Sequence, residues 1–316
     1  MSGNPVPAAM ATVPLTAAVT VPPPGPHGGD GARIAAALGV DPRHVLDLSA
    51  STNPLAPDVA RLAARRLDSL TRYPDPSRAT ASLAEAMGVD QRRLVLTNGG
   101  SEAISLVAGA LGGHVAEPEF ALHPRGPSGA GPRWRSNPHN PSGRLAGPGE
   151  RAGVWDESFF PLATGRWTRG DADAVVVGSL TKVFACPGLR LGYVLGDEEV
   201  VGTLAARQPC WSVNSLALAL VPDLLEAADL AGWARRIADL RAALVQVLDA
   251  HGLGPQPSDA NYVLCARAQG LRSRLAPLGV VVRDCSSFGM ADHVRVAVPD
   301  DDGLERLARA LEASAP

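Results

Sequence analysis

Apolar residues recur along this chain in two rhythms, and their alternation predicts its architecture. Val59, Leu62, Ala63, Leu67 and Leu70 fall at helical spacing, and Leu83, Ala84 and Met87 continue that rhythm up to Gly88. Ile104, Val107, Ala108 and Leu111 share one helical face after Ser101. A shorter helix is expected over 32–38, with Asp30 near its N-cap and Gly39 after its end. Between these stretches lie apolar runs too short for helices, at 94–97, 174–177 and 189–195, which read as buried strands. Residues 222–251 are expected to be largely helical. Runs at 262–265, 280–283 and 294–298 then alternate with helical patterns at 271–278 and 304–311. Strands alternating with helices predict the α/β class, with a mostly parallel sheet in a large unit and a second, smaller α/β unit.

Composition narrows the partners. With 316 residues and 46% apolar content, the chain can bury a large core and a smaller one. A net charge of −3, with acids and arginines interspersed, provides no broad basic face for nucleic acid. No apolar run has the length of a membrane span. Residues 1–26 are rich in Ala, Val and Pro, lack a basic residue before Arg33 and read as a flexible arm instead of a signal peptide, so a cytoplasmic location is expected. The four cysteines are far apart, which suggests neither a disulfide framework nor a metal site.

One residue changes the picture. Lys182 is the single lysine, while arginine fills the other 28 of the 29 basic positions. Arginine carries the same charge but cannot lose its proton near neutral pH, whereas a desolvated lysine can do so and form an imine with a carbonyl. Lys182 falls just past the strand at 174–177, where α/β sheets place ligands. Its surroundings supply what pyridoxal phosphate requires. Gly99-Gly100-Ser101 opens a helix and can cradle a phosphate, although a plain glycine turn with a serine cap has the same pattern. Ser179 and Arg190 can add a hydroxyl and a fixed charge. Asp156 follows a short apolar run and can hold a ring nitrogen protonated; Asn140, between Asn-Pro turns, can donate to a phenolic oxygen.

With these residues in place, the chain resembles the fold-type I pyridoxal-phosphate enzymes, and within them the aminotransferase class I/II family. It is most similar to the branch containing threonine-phosphate decarboxylase of cobalamin biosynthesis and histidinol-phosphate aminotransferase. Ser179-Leu-Thr-Lys-Val-Phe-Ala-Cys-Pro-Gly-Leu-Arg-Leu-Gly-Tyr193 carries the resemblance. His27-Gly-Gly-Asp30, Asn53-Pro-Leu55, Arg72-Tyr-Pro-Asp75, Trp211-Ser-Val-Asn214, Ala260-Asn-Tyr262 and Arg283-Asp-Cys-Ser286 extend it from residue 27 onward.

The resemblance implies that Lys182 binds the cofactor carbonyl and later moves a proton, Asp156 pairs with the ring nitrogen and Asn140 with the phenolic oxygen. Gly100, Ser101, Ser179 and Arg190 would bind the cofactor phosphate, Tyr73 would reach it from the other subunit of a homodimer, and Phe120 would stack on the ring. Arg295 would take the substrate α-carboxylate; His27, Asn53 and Arg283 would meet a substrate phosphate. The implied organisation is an arm over 1–26, a segment 27–47 packed on the small unit, a large cofactor-binding unit over 48–211 and a small unit over 212–316.

The expected activity is at the α-carbon of an amino acid, phosphorylated or not. Decarboxylation is favoured, transamination is the alternative, and a non-catalytic cofactor-binding protein is a third reading. Two features depart from the pattern. Only 18 residues separate Pro118 from Asn137 and 12 separate Gly143 from Asp156, so the large unit is trimmed and one sheet face is expected to be thinly covered or covered by a partner subunit. Pro299 stands where the decarboxylase branch tends to have an arginine, so phosphate recognition is expected to be weakened or rearranged.

Overall fold

The computed structural model describes residues 20–314. In chain order the elements are α1 (Gly31–Leu38), β1 (Leu46–Leu48), α2 (Val59–Ala64), α3 (Ser77–Met87), β2 (Leu94–Asn98), α4 (Gly99–Leu111), β3 (Trp134–Ser136), β4 (Val154–Asp156), α5 (Phe160–Thr164) and β5 (Val175–Gly178). They continue with α6 (Leu180–Val183), β6 (Leu191–Leu195), α7 (Glu198–Arg207), α8 (Ser215–Glu226), α9 (Leu230–Ala250), β7 (Tyr262–Cys265), α10 (Leu271–Leu275), β8 (Val280–Asp284), β9 (Val294–Ala297) and α11 (Asp301–Ala313). Gly39 and Gly88 end α1 and α3 in left-handed conformations, as glycine after a helical pattern predicts. The helical rhythm over 59–70 is broken in the middle: α2 stops at Ala64 and a 3-10 turn covers Leu67–Thr71.

The larger sheet has the order β2-β6-β5-β4-β3, and β6 alone runs against the other four. Along β5, Val176 enters one core with Trp155, Leu191 and Tyr193, while Val175 and Val177 enter another with Trp134, Val154 and Val194. Both faces are therefore buried, which explains the uninterrupted apolar runs. Thin cover of one face is not observed. Irregular chain takes the place of helices around the trimmed segments: Trp134 Nε1 donates to the Gly112 carbonyl, and the Arg135 and Arg169 guanidiniums lie 5.7 and 4.9 Å from the Trp155 ring. The outer edge of β3 is closed by the His114 carbonyl, which accepts from Trp134 N, and by the Glu119 carboxylate, which accepts from Ser136 N.

The second sheet has the order β1-β8-β9-β7, so Leu46–Leu48 joins a sheet otherwise made of residues beyond 261. A change of unit at residue 212 does not match the packing. Helix α8 lies in the first core, and the boundary runs through α9. Leu230, Trp233 and Ile237 pack with the larger sheet, whereas Leu240, Leu244 and Leu248 pack with the smaller one. The helix carries one apolar stripe at three- and four-residue steps, and each leucine contributes about 1.5–3 kcal/mol of burial to whichever core it enters. Of the expected arm, residues 1–19 lie outside the described residues. The rest is tied down: Arg272 donates to the Pro22 carbonyl, and Arg283 donates to those of Gly25 and Pro26.

Candidate active site

Strand β5 ends at Gly178 and α6 begins two residues later, which brings Lys182 out beyond a strand end. Asn53 holds that turn: its backbone N–H donates to the Lys182 carbonyl at 3.0 Å and its amide Nδ2 to the Val183 carbonyl at 2.9 Å. Its Oδ1 accepts from Leu55 N, so the side chain expected to meet a substrate phosphate is engaged in positioning the lysine instead. Lys182 Nζ donates to the Ala50 carbonyl at 2.8 Å and lies 6.0 Å from the Phe159 ring centre. No carboxylate pairs with it among the described residues. Burial, aided by the charges of Arg295 and Arg190, pushes its pKa down to about 8. Among the described residues, three of the four non-glycine residues with positive φ lie near it: Ser51 next to Ala50, Ala185 and Arg190. Such conformations cost about 1–3 kcal/mol each and persist where the surroundings impose them.

Asp156 closes β4, in register with Val177 of β5. Its Oδ1 accepts from Ser158 N at 3.0 Å, and its Oδ2 lies 3.1 Å from His123 Nε2. On its far side, His123 Nδ1 is 3.5 Å from Glu119 Oε2. All three groups are buried. Burial opposes charge on each, yet the mutual attraction wins: His123 is raised to about 9, and Asp156 and Glu119 are held below the usual carboxylate range. Sequence reasoning missed His123 and Glu119. The available signal was the place of Glu119 within Pro118-Glu-Phe120.

At the start of α4, backbone N–H groups lie open beside β6. A Cβ on Gly192 would come within 2.5 Å of the Gly99 carbonyl carbon and 2.6 Å of Gly100 N, so glycine is what lets the strand approach the helix end. Gly100 faces Ser179, and the Arg190 guanidinium lies over Gly99, where a Cβ would be 2.4 Å from Nη2. Gly100, Ser179 and Arg190 thus converge as sequence analysis expects, with exposed Ser101 beside them. Together with the helix N-terminus they make an anion cradle.

Arg283 and Arg295 face each other across β8 and β9. Arg295 is buried, donates from Nη1 to Asn140 Oδ1 at 2.5 Å and lies 4.5 Å over the Tyr262 ring; its Nε has no partner. Arg283 donates to the Gly25 and Pro26 carbonyls and to Ser287 Oγ. All three acceptors are neutral, and burial with the neighbouring Arg295 charge pushes its pKa down to about 10. Neither arginine has a carboxylate partner among the described residues. His27 is exposed, with its ring 5.7 Å from that of Phe120, and Phe120 meets His123 edge-on at 5.6 Å. Tyr73 stands apart, 79% exposed, with its ring centre 4.7 Å from that of Trp211 and tilted 36° to it.

A lysine poised to lose its proton, a buried ionised acid, an anion cradle and an unsatisfied guanidinium define a pyridoxal-phosphate enzyme site, and these residues fit that group. The family model for aminotransferase class I and II matches residues 152–311. Histidinol-phosphate aminotransferase 2 of Pseudomonas fluorescens strain Pf-5 is 30% identical, over 88% of this chain and 92% of its own length. The threonine-phosphate decarboxylase of Salmonella typhimurium is 28% identical, over 90% of this chain and 95% of its own. A solved histidinol-phosphate aminotransferase from Sinorhizobium meliloti, in complex with pyridoxal 5'-phosphate, superposes with a TM-score of 0.76 at 17% identity, covering 98% of each chain. The chain belongs to the aminotransferase class I and II family of pyridoxal-phosphate-dependent enzymes. The Pseudomonas alignment runs over 344 positions, more than the 316 residues of this chain, so that relative carries segments this one lacks.

Proposed function

We propose that the protein acts at the α-carbon of an amino acid that carries a second anionic group, and that it removes the α-carboxylate. The observation that carries this reading is the pair of buried guanidiniums, Arg283 and Arg295, without a carboxylate between them, beside a lysine whose pKa is pushed down to about 8. Buried uncompensated charge costs several kcal/mol, which a dianionic ligand would offset. Pyridoxal phosphate, when bound, supplies a ring that withdraws electrons from the α-carbon. Lys182 binds the cofactor carbonyl and moves the proton. Asp156 holds the ring nitrogen protonated, Phe120 packs on the ring, and Gly100, Ser101, Ser179 and Arg190 hold the phosphate. Asn140 presents its amide to the phenolic oxygen while its carbonyl steadies Arg295, which orients the α-carboxylate.

The second anion falls to Arg283 and His27, because Pro299, buried two residues before α11, offers no donor. To reach Arg283 that anion displaces the Gly25 and Pro26 carbonyls. The substrate class that fits is a phosphorylated amino acid such as threonine phosphate, in the chemistry of cobalamin biosynthesis. Transamination is the second reading, favoured by the 30% identity to a histidinol-phosphate aminotransferase. Leu67, Leu70, Tyr73 and Trp211 are large exposed apolar side chains, and we propose that a second copy of the chain covers them and takes Tyr73 to its own phosphate. No helix among the described residues is long and apolar enough to cross a membrane. A cytoplasmic location is part of the proposal. Incubation with threonine phosphate and with unmodified amino acids tests the reading. Carbon dioxide release marks the decarboxylase, a keto acid with pyridoxamine phosphate marks the transaminase, and neither product from any amino acid refutes both.

A further inference from the structure

Behind Asp156 stands a second buried acid that this reading leaves without a task. Glu119 is 2% exposed. Its Oε1 accepts from Ser136 N at 2.8 Å, and its Oε2 accepts from Ser136 Oγ at 2.7 Å and from Phe120 N at 3.1 Å. Oε2 also lies 3.5 Å from His123 Nδ1, close enough for an ion pair but without hydrogen-bond alignment. The His123 ring is enclosed by Phe120 and Trp134, both uncharged. The groups that can carry charge at this row are Glu119 from the same turn, Asp156 from β4, His139 at 3.9 Å from Glu119 Oε1, and Arg125, which donates to the His123 carbonyl. A neutral imidazole here would leave two buried carboxylates without a cation between them, the arrangement that burial disfavours most.

We propose that Glu119 is a positioning residue whose charge keeps His123 an imidazolium and so fixes Asp156 as an ionised carboxylate behind the cofactor ring. The inference rests on the assignment of Asp156 to the ring nitrogen. Ring nitrogen, Asp156, His123 and Glu119 then alternate in sign along one buried row, with no net charge. Histidine alone could support Asp156 in either protonation state; the second acid removes that choice.

The test is a pH titration of histidine-labelled protein by NMR, with His123→Asn identifying the His123 signal among the seven histidines, together with an absorbance titration of pyridoxal phosphate binding. In the unaltered protein His123 remains protonated up to about pH 9. Glu119→Gln, which keeps acceptors for Ser136, lowers that midpoint by about one pH unit or more and weakens cofactor binding about tenfold. Ser136→Ala removes a bond to Glu119 but no charge, and leaves the His123 midpoint unchanged. The proposal is overturned if Glu119→Gln titrates like the unaltered protein, or if His123 in the unaltered protein titrates near or below 6.5; the second result does not depend on Glu119→Gln folding. Failure of the underlying reading looks different: Asp156→Asn would then bind pyridoxal phosphate as tightly as the unaltered protein.

Discussion

The depressed pKa of Lys182 has a kinetic consequence that can be worked out in advance. At pH 7.5 an amine with a pKa of about 8 is neutral in about one molecule in four, whereas an ordinary lysine near 10.5 is neutral in about one in a thousand. Capture of a carbonyl needs the neutral amine, so Lys182 gains about two hundredfold over a free lysine from its environment alone. Protein stripped of cofactor is mixed with pyridoxal phosphate between pH 6 and 10, quenched with borohydride at fixed times, and digested. Because the chain has one lysine, a lysine adduct reports on Lys182, and peptide mapping separates it from the terminal amine. The initial rate is expected to rise about tenfold per pH unit up to about 8 and then level off. Arg295→Gln, which removes one of the two cations that help burial depress the pKa, moves the plateau to higher pH. A rate that climbs without a break to pH 10, in parallel with an N-acetylated Ser-Leu-Thr-Lys peptide, would refute a depressed pKa for Lys182.

Three further outcomes follow from the same contacts. Glu157 is buried and its pKa is raised by burial to about 7, so the folded state binds an extra proton between about 4.5 and 7; the stability this contributes is complete below that window and lost as pH rises through 7. Glu157→Gln should therefore stabilise the protein by about 3 kcal/mol at pH 8 and by under about 1 kcal/mol near pH 5 in urea unfolding. Arg295→Lys keeps the charge but loses the planar fork and its bond to Asn140, and should raise KM for an α-carboxylate substrate by about 10- to 100-fold, read by steady-state kinetics. On the proposal that exposed Leu70, Tyr73 and Trp211 meet a second copy of the chain, Leu70→Asp should lower the sedimentation coefficient from that of a dimer to that of a monomer.

What the sequence made legible follows from which interactions are local. Element types at 94–97, 174–177 and 262–265 were readable because a buried strand shows its environment in its own composition. The position of Lys182 beyond a strand end was readable for the same reason. The bond from Asn53 to Lys182's neighbour was not legible, because a turn asparagine looks alike whether its amide faces a ligand or the Val183 carbonyl 130 residues away. For Arg283, nothing in its sequence neighbours discloses that Gly25 and Pro26 hold its donors. The division of α9 between two cores was not legible because the helix has a single continuous stripe, and a stripe does not record that its two halves meet different cores. His123 lies in a run of ordinary turn residues, and its importance arises entirely from two acids that folding brings to it.

The trimmed segments bear on how the site is held together, since they flank the loop that carries Asn140. Without long helices on either side, that loop is fastened from the other unit. The Gly143 carbonyl accepts from Asp259 N at 2.8 Å and from Ala260 N at 3.1 Å, Leu145 N donates to Asp259 Oδ2, and the Tyr262 hydroxyl donates to the His139 carbonyl. Contact is so close at Gly143 that a Cβ there would lie 2.1 Å from Ser258 Oγ, and its φ of 78° already calls for glycine. Arg295 completes the seam through Asn140. Asn140 and Arg295, which serve cofactor and substrate respectively in the proposed reading, are thus registered against each other by direct bonds between the two units, while α9 ties the units together behind them. Shortening the large unit removes scaffold around the loop without loosening the geometry that matters for chemistry, because that geometry is fixed across the seam.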